Sequence, residues 1–507
     1  MMARGRDIKG ELSLHADAVV VGMGAGGSIV LRELARAGAK VIGFEEGGAH
    51  TFADFNQRED EMLPLLYQDM GGRTTRDLTI RILQGRGVGG STIHNTNLCK
   101  RTPDEILERW ARRNAVIGAS PAEMRPAFEA IERDLSVSAI PAAWLNGNNA
   151  VLKAGVQALG WHGAMLQHNR VGCQQSGFCE LGCTYDAKQS AGKVIVPDAV
   201  AAGADVYADV RVDRINVRTG EVTGVHGFLL GPNGEVQGEV TVFARVVVLA
   251  GSAIGSSALA IASGIPDPFQ QLGRNLRLHP AGVVAGTFDR PIEGVRGVPQ
   301  SYECTELLSF EEGSDKRVWI VPAFAHPIGT AAMLPGFGAP HMRAMRDYNR
   351  LAVLTAMVHD DTSGRVTVDR DGRPSVDYQM TLPDSDQLGR GLRACARILF
   401  AAGATAVTIP AVVPRRLTRV ADIDRVDLRQ VDPREFPLTS VHPMGTMRMG
   451  EDPASSVVNS VGEHHQLPGL YVADGSLFPT SIGVPPQISI YAFALHIAPH
   501  VLAASKR

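Results

Sequence analysis

The chain has 507 residues, with 50 Lys and Arg against 53 Asp and Glu, a formal net charge of −3 and a pI near 6.6. That balance excludes the electrostatics of a nucleic-acid binder, and 44% hydrophobic with 20% charged residues excludes a disordered chain. Glycine is in excess, at 55 residues where ~35 would be average for this length, and without the G-X-Y period of collagen.

Met1 to Leu12 is charged and lacks the apolar stretch of a secretory signal, so the expectation is a cytoplasmic protein. Ala18 to Val21 reads as a strand. It runs into Gly22-Met23-Gly24-Ala25-Gly26-Gly27, followed by an amphipathic helix from Ser28 to about Ala37 and a second strand from Lys40 to Phe44, ending at Glu45. Strand, G-x-G-x-x-G, helix, strand, acid is the arrangement that binds a dinucleotide. Gly22 allows the tight turn, Gly24 lets a pyrophosphate approach the backbone, and Gly27 lets helix and strand pack closely. Glu45 can accept hydrogen bonds from an adenosine ribose. FAD and NAD are not separated by this fingerprint.

Gly85-Arg86-Gly87-Val88-Gly89-Gly90-Ser91 is a second glycine-rich loop, suited to a ligand laid against the backbone. Ser120-Pro121-Ala122-Glu123 predicts a capped helix running to about Leu135, and Asn149 to Leu159 another. From Val206 to Ala250 a strand-rich meander is expected, with turns at 218–221 and 231–234, returning to a parallel sheet through Val246 to Leu249. A further helix follows near Gln387 to Ala401, and a last one spans Gln487 to about Ala503. Two charge-free stretches, 246–266 and 477–505, match membrane spans in length. The Gly and Ser of the first and Pro485-Pro486 in the second predict buried core instead, with no transmembrane segment.

Six cysteines are too few for a disulfide scaffold, yet Cys173, Cys179 and Cys183 crowd together among glycines. Thiolates this close suit an iron–sulfur cluster. Structural thiols or a single disulfide is the competing reading, and zinc is poorer because no fourth ligand is evident.

Four separated blocks then coincide. Gly22 to Gly48, Gly85 to Asn95, Gly251 to Ile265 with Leu272 to Leu276 and His279-Pro280, and His442-Pro443-Met444-Gly445-Thr446 through Gly475 resemble the glucose-methanol-choline (GMC) oxidoreductases. The third block departs at Gly255, where the family usually has Ser or Thr, and at Pro266, where Gly is usual. The resemblance implies an α/β fold. An FAD-binding Rossmann-like domain with an inserted antiparallel meander (14–100, 186–280 and 441–507) would be interleaved with an α+β substrate-binding and cap domain (101–185 and 281–440). It implies FAD at Gly22, Gly24, Ala25, Gly27 and Glu45, along Gly89, Gly90, Ser91 and Asn95, with Val210 near the adenine. Asp474 would meet the ribityl or phosphate region, and Pro486 and Gln487 the pyrimidine edge. The cysteine spacing is similar to that of membrane-associated FAD glucose dehydrogenases, which implies a 3Fe–4S cluster.

The activity so implied is oxidation of a CH–OH donor, an alcohol or a sugar, by hydride transfer to the flavin. His442 would be the base, since imidazole titrates near neutrality. Electrons would pass to O2 or a redox partner. A second His or Asn usually precedes the last helix; here that place holds Pro485, and Gln487 is the nearest polar substitute. This departure keeps open a non-redox enzyme on the same scaffold, of the lyase or photodecarboxylase type.

Overall fold

The computed structural model describes residues 1–507 except 325, 335, 429 and 430. Two sheets organise it. The first is ordered β1 (Met2–Arg4), β4 (Asp205–Ala208), β3 (Val41–Phe44), β2 (Gly10–Val21), β7 (Val236–Leu249), β6 (Glu221–Leu230) and β5 (Val210–Arg218), and β14 (Leu470–Val472) also pairs with β7. Pairs from β1 to β7 are parallel, and β14 joins β7 in parallel; the β5–β6–β7 meander is antiparallel. The predicted meander and its return to the parallel sheet are therefore present.

The second sheet is antiparallel. It is ordered β13 (Arg415–Leu417), β12 (Ala406–Ile409), β8 (Ala281–Thr287), β11 (Leu351–Val358), β10 (Val318–Pro322) and β9 (Tyr302–Cys304), with Gly163–Met165 at the far edge.

Seven helices bear on the site: α1 (Ala25–Arg36), α2 (Pro121–Asp134), α3 (Gly147–Ala158), α4 (Ser252–Ala262), α5 (Pro327–Met333), α6 (Leu382–Ala401) and α7 (Gln487–Ser505). Ser120 and Glu123 form the expected capping box of α2. Helix α6 starts earlier than its apolar periodicity suggests, because Thr381 ends the preceding extended segment and proline in the first turn is already set for helix.

Each sheet has its own core. The first gathers Val19, Val20, Leu31, Val247, Val248 and Phe493, and includes Trp110, Phe128 and Ile131. The segment 104–135 thus packs with the parallel sheet, and the expected boundary at residue 100 marks no change of core. The second core gathers Val284, Leu354, Ala356 and Ile320 against Leu392 and Leu399 of α6. Helix α7 packs against α1 and α2. Among the described residues it is the one helix long and apolar enough to cross a membrane, and most of its residues are buried in the fold.

Candidate functional site

A cavity of about 1130 Å³ lies between the two sheets. This exceeds the ~300–1,000 Å³ of an ordinary small-molecule pocket, so it has room for a long cofactor and a second ligand. It opens at the carboxyl ends of the parallel strands, where open α/β sheets place their ligands.

One end is built from backbone. Gly22 has φ +101°, and a Cβ there would strike the Ala250 carbonyl. A Cβ on Gly27 would strike Gly22, as the close packing of helix on strand requires, and one on Gly26 would overlap the Ala473 carbonyl oxygen. Gly24 differs: a Cβ there would meet only the Cα of Gly90, at 3.8 Å, so this position is open. The Gly89 N–H donates to the Met23 carbonyl (2.8 Å) and bonds the two glycine loops together, while the Gly85 N–H donates to Ser91 Oγ (2.9 Å) and closes the second loop on itself.

Glu45 fastens this end. Its buried carboxylate accepts the N–H groups of Met23, Gly47 and Gly87, each at 3.0 Å, and so ties both glycine loops to the end of β3. Burial pushes its carboxyl up to about 7. A carboxylate offers about four acceptor sites, which leaves one beyond these three bonds. Val210 borders the cavity beside it, its N–H donating to the Glu45 carbonyl (2.9 Å).

Asp474 is buried across the cavity. It accepts from Ser256 Oγ (2.5 Å) and from the Ser476 N–H (2.8 Å), and burial raises its pKa. It thereby joins α4 to the turn after β14. Asn95 Nδ2 donates to Gln487 Oε1 (2.8 Å), and Gln487 Nε2 donates to the Leu98 carbonyl (2.6 Å). Both ends of the Gln487 amide are thus committed to the protein, which leaves it unsuited to stand in for the polar side chain absent at Pro485.

Of the residues expected at the site, Gly22, Gly24, Ala25, Glu45, Gly90, Ser91, Asn95, Val210, His442, Asp474, Pro486 and Gln487 line the cavity; Gly27 and Gly89 sit behind its wall. The three thiols lie off it. All six cysteines are free, so no disulfide joins the cluster. Among the described residues no three His, Cys, Asp or Glu side chains are arranged to hold a metal ion. Cys183 Sγ accepts the Ala187 N–H and Cys173 Sγ the Gln175 N–H.

The cysteine loop is nonetheless tied to the second glycine loop. Lys188 Nζ donates to the carbonyls of Ile93 (3.0 Å), Asn95 (2.5 Å) and Cys179 (2.8 Å), and burial lowers its pKa to about 8. Sequence reasoning missed this lysine, since nothing local marks it.

The other end of the cavity is a sheet face. Ala281, Val283 and Ala285 of β8, Trp319 of β10, and Leu351, Val353, Thr355 and Met357 of β11 point into it. Their alternate neighbours Val284, Ile320, Leu354 and Ala356 fill the second core, as the period of two in a strand dictates. Met333 and Leu334 close the face from α5. His442 stands where the two ends meet. Its Nδ1 lies 3.1 Å from Nδ1 of the fully buried His279, and burial holds both rings far below the usual imidazole pKa.

FAD fits this frame. Helices α1 and α7 both point N-termini at the cavity without a side-chain cap, through Gly24 and Pro486, leaving N–H groups and partial positive charge for an anionic ligand. The family description "GMC oxidoreductase" matches in two parts, over residues 63–281 for its N-terminal domain and 360–494 for its C-terminal domain. The chain belongs to the GMC oxidoreductase family. It is an FAD-dependent oxidoreductase.

An uncharacterised GMC-type oxidoreductase of Mycobacterium tuberculosis is 34% identical over 96% of this chain and 76% of its own length. A long-chain-alcohol oxidase of Arabidopsis thaliana is 29% identical over 96% of this chain and 67% of its own. The paromamine 6'-oxidase of Streptomyces fradiae is 26% identical over 95% and 90%. Among solved structures, pyridoxine 4-oxidase from Mesorbium loti aligns with a TM-score of 0.72 at 20% identity, over 96% of this chain and 99% of that one.

Proposed function

We propose that this GMC oxidoreductase oxidises the CH–OH group of an alcohol with an apolar chain. The observation that carries the substrate class is the alternate-residue face of β8, β10 and β11: seven apolar side chains and Thr355, with no charged group. Such a face stabilises a hydrocarbon by ~0.8 kcal/mol per buried methylene and offers few partners to the many hydroxyls of a sugar. The long-chain-alcohol oxidase among the relatives supports the same class.

The bound flavin supplies a hydride acceptor. Gly22, Gly24 and Ala25 would hold its pyrophosphate, with Gly27 packing helix on strand behind them, Glu45 would hold its ribose and Val210 its adenine. Gly90, Ser91 and Asn95 would lie along its length, with Gly89 supporting them from behind, and Asp474 would meet the ribityl or phosphate region. Pro486 and Gln487 would border its pyrimidine edge, where the N-terminus of α7 would favour negative charge. His442 engages the reacting hydroxyl and takes its proton. Burial keeps the ring neutral, as a base requires.

The test is anaerobic mixing of the FAD-loaded protein with alcohols of increasing chain length and with sugars, following the flavin's visible absorbance. Bleaching that is faster with longer alkyl chains is expected. Bleaching by sugars alone, or by nothing in the series, would sink the substrate class. His442→Ala is expected to slow bleaching ~10²-fold or more; an unchanged rate would remove His442 from the chemistry.

A further inference from the structure

A backbone N–H can only donate, and that fact propagates through two histidines. The Gly483 N–H points at Nε2 of His279 at 3.0 Å. His279 Nε2 therefore keeps its lone pair, and the proton of this neutral ring sits on Nδ1. That nitrogen faces Nδ1 of His442 at 3.1 Å, with the rings nearly perpendicular at 89°. One of two facing nitrogens has to donate, and His279 is the one with a proton there. His442 Nδ1 is thus the acceptor, and the proton of a neutral His442 is left on Nε2. No described residue bonds to that nitrogen, and the ring borders the cavity.

We propose that His279 is a positioning residue: together with Gly483 it holds His442 in the tautomer that carries its proton on Nε2, so that the resting ring meets the substrate oxygen as a hydrogen-bond donor. The inference rests on His442 being the group that engages the hydroxyl.

His279 is held rigidly enough for this. It is fully buried with φ +52°, and Asp360 accepts both the Leu278 N–H (2.9 Å) and its own N–H (3.2 Å). Tyr378 Oη in turn donates to Asp360 (2.6 Å). Gly483 is fixed from the other side, since His359 donates from Nε2 to the Ser481 carbonyl (3.1 Å) and packs against Gly483.

The consequence concerns order of events. To accept the hydroxyl proton at Nε2, His442 must first carry its own proton on Nδ1. The neutral pair keeps two protons but moves both: His279 Nδ1 gives its proton to His442 Nδ1, His442 Nε2 gives its proton to water, and water returns one proton to His279 Nε2. The Gly483 N–H must then leave Nε2. Gly483 lies two residues before Pro485, which lines the cavity, so the segment that sets the tautomer adjoins the ligand's wall.

The test is nitrogen-15 NMR of the histidine-labelled full chain, with His279→Asn and His279→Met beside the parent. Asparagine tolerates the left-handed backbone and places an amide donor near the old Nδ1; methionine has no donor. In the parent and in His279→Asn, His442 is expected to show a proton on Nε2 and a bare Nδ1. In His279→Met its two nitrogens should move to the averaged positions of mixed tautomers. A parent His442 protonated on Nδ1, or a His279→Met spectrum unchanged at His442, overturns the proposal. If His279→Met fails to fold, the parent and His279→Asn spectra decide alone. Because the readout is the proton's position, it stands apart from the bleaching rate of His442→Ala.

Discussion

The two ends of the cavity are made in opposite ways. The end at the parallel sheet is backbone: glycines without Cβ, N–H groups converging on Glu45, and two uncapped helix N-termini. The end at the antiparallel sheet is side chain, a row of alternate residues whose neighbours are committed to the core. Backbone geometry tolerates almost no substitution, whereas a sheet face can exchange one apolar side chain for another and keep its fold. On the function proposed above, one end would fix what cofactor is bound and the other would be free to set what is oxidised.

This contrast breaks most violently at Gly26. Gly26→Ala would drive a methyl group into the Ala473 carbonyl oxygen, costing ~3 kcal/mol or more. The expected result is protein purified without flavin and with a sharply lowered melting temperature. Retained flavin at parental stability would show that the backbone end is softer than its contacts imply.

Glu45→Gln is the next largest. An amide presents two donors where the carboxylate accepted three N–H groups, so at least one buried donor loses its partner, at ~1–3 kcal/mol. Flavin affinity, measured by equilibrium fluorescence, should fall by at least tenfold. Val353→Phe acts on the opposite end. It should leave flavin content unchanged but shorten the favoured alkyl chain, changing the kcat/KM ratio between a long and a short alcohol about tenfold. If flavin content falls with it, the two ends are not independent.

The smallest effect is on acid stability. Burial lowers the pKa of His279, His359 and His442 below the ordinary 6.5. Below pH 6.5 the unfolded chain binds protons that the native rings refuse, so stability falls as pH drops, by at most ~1.4 kcal/mol per unit for each ring. His279→Asn removes one such ring, and its melting temperature should decline less steeply between pH 6.5 and 5 than the parent's. An equal or steeper decline would show that the His279 ring takes up its proton in the folded state.

Legibility in the sequence followed the same divide. Gly22, Gly24, Gly27 and Glu45 could be read because a phosphate turn needs glycine at set spacings and an acid at the end of the next strand. The meander was legible from its turns at 218–221 and 231–234. The sheet face was not, because Val283, Val353 and Met357 look like any buried strand, and which alternate set faces a cavity depends on helices α3 and α6 covering the other side. The pairing of His279 with His442 spans 163 residues, so no local pattern could announce it; His279-Pro280 stood out only as part of a family block. Gly26 was passed over although its methyl would collide hardest, because the G-x-G-x-x-G spacing reserves no role for that place.

Lys188 gives the structure one more property. Its ammonium gathers three carbonyls, two from the glycine loop that meets the cofactor and one from the loop of thiols. The two loops share a single rivet. Replacing Lys188 would therefore release both loops at once and take the donor from all three carbonyls.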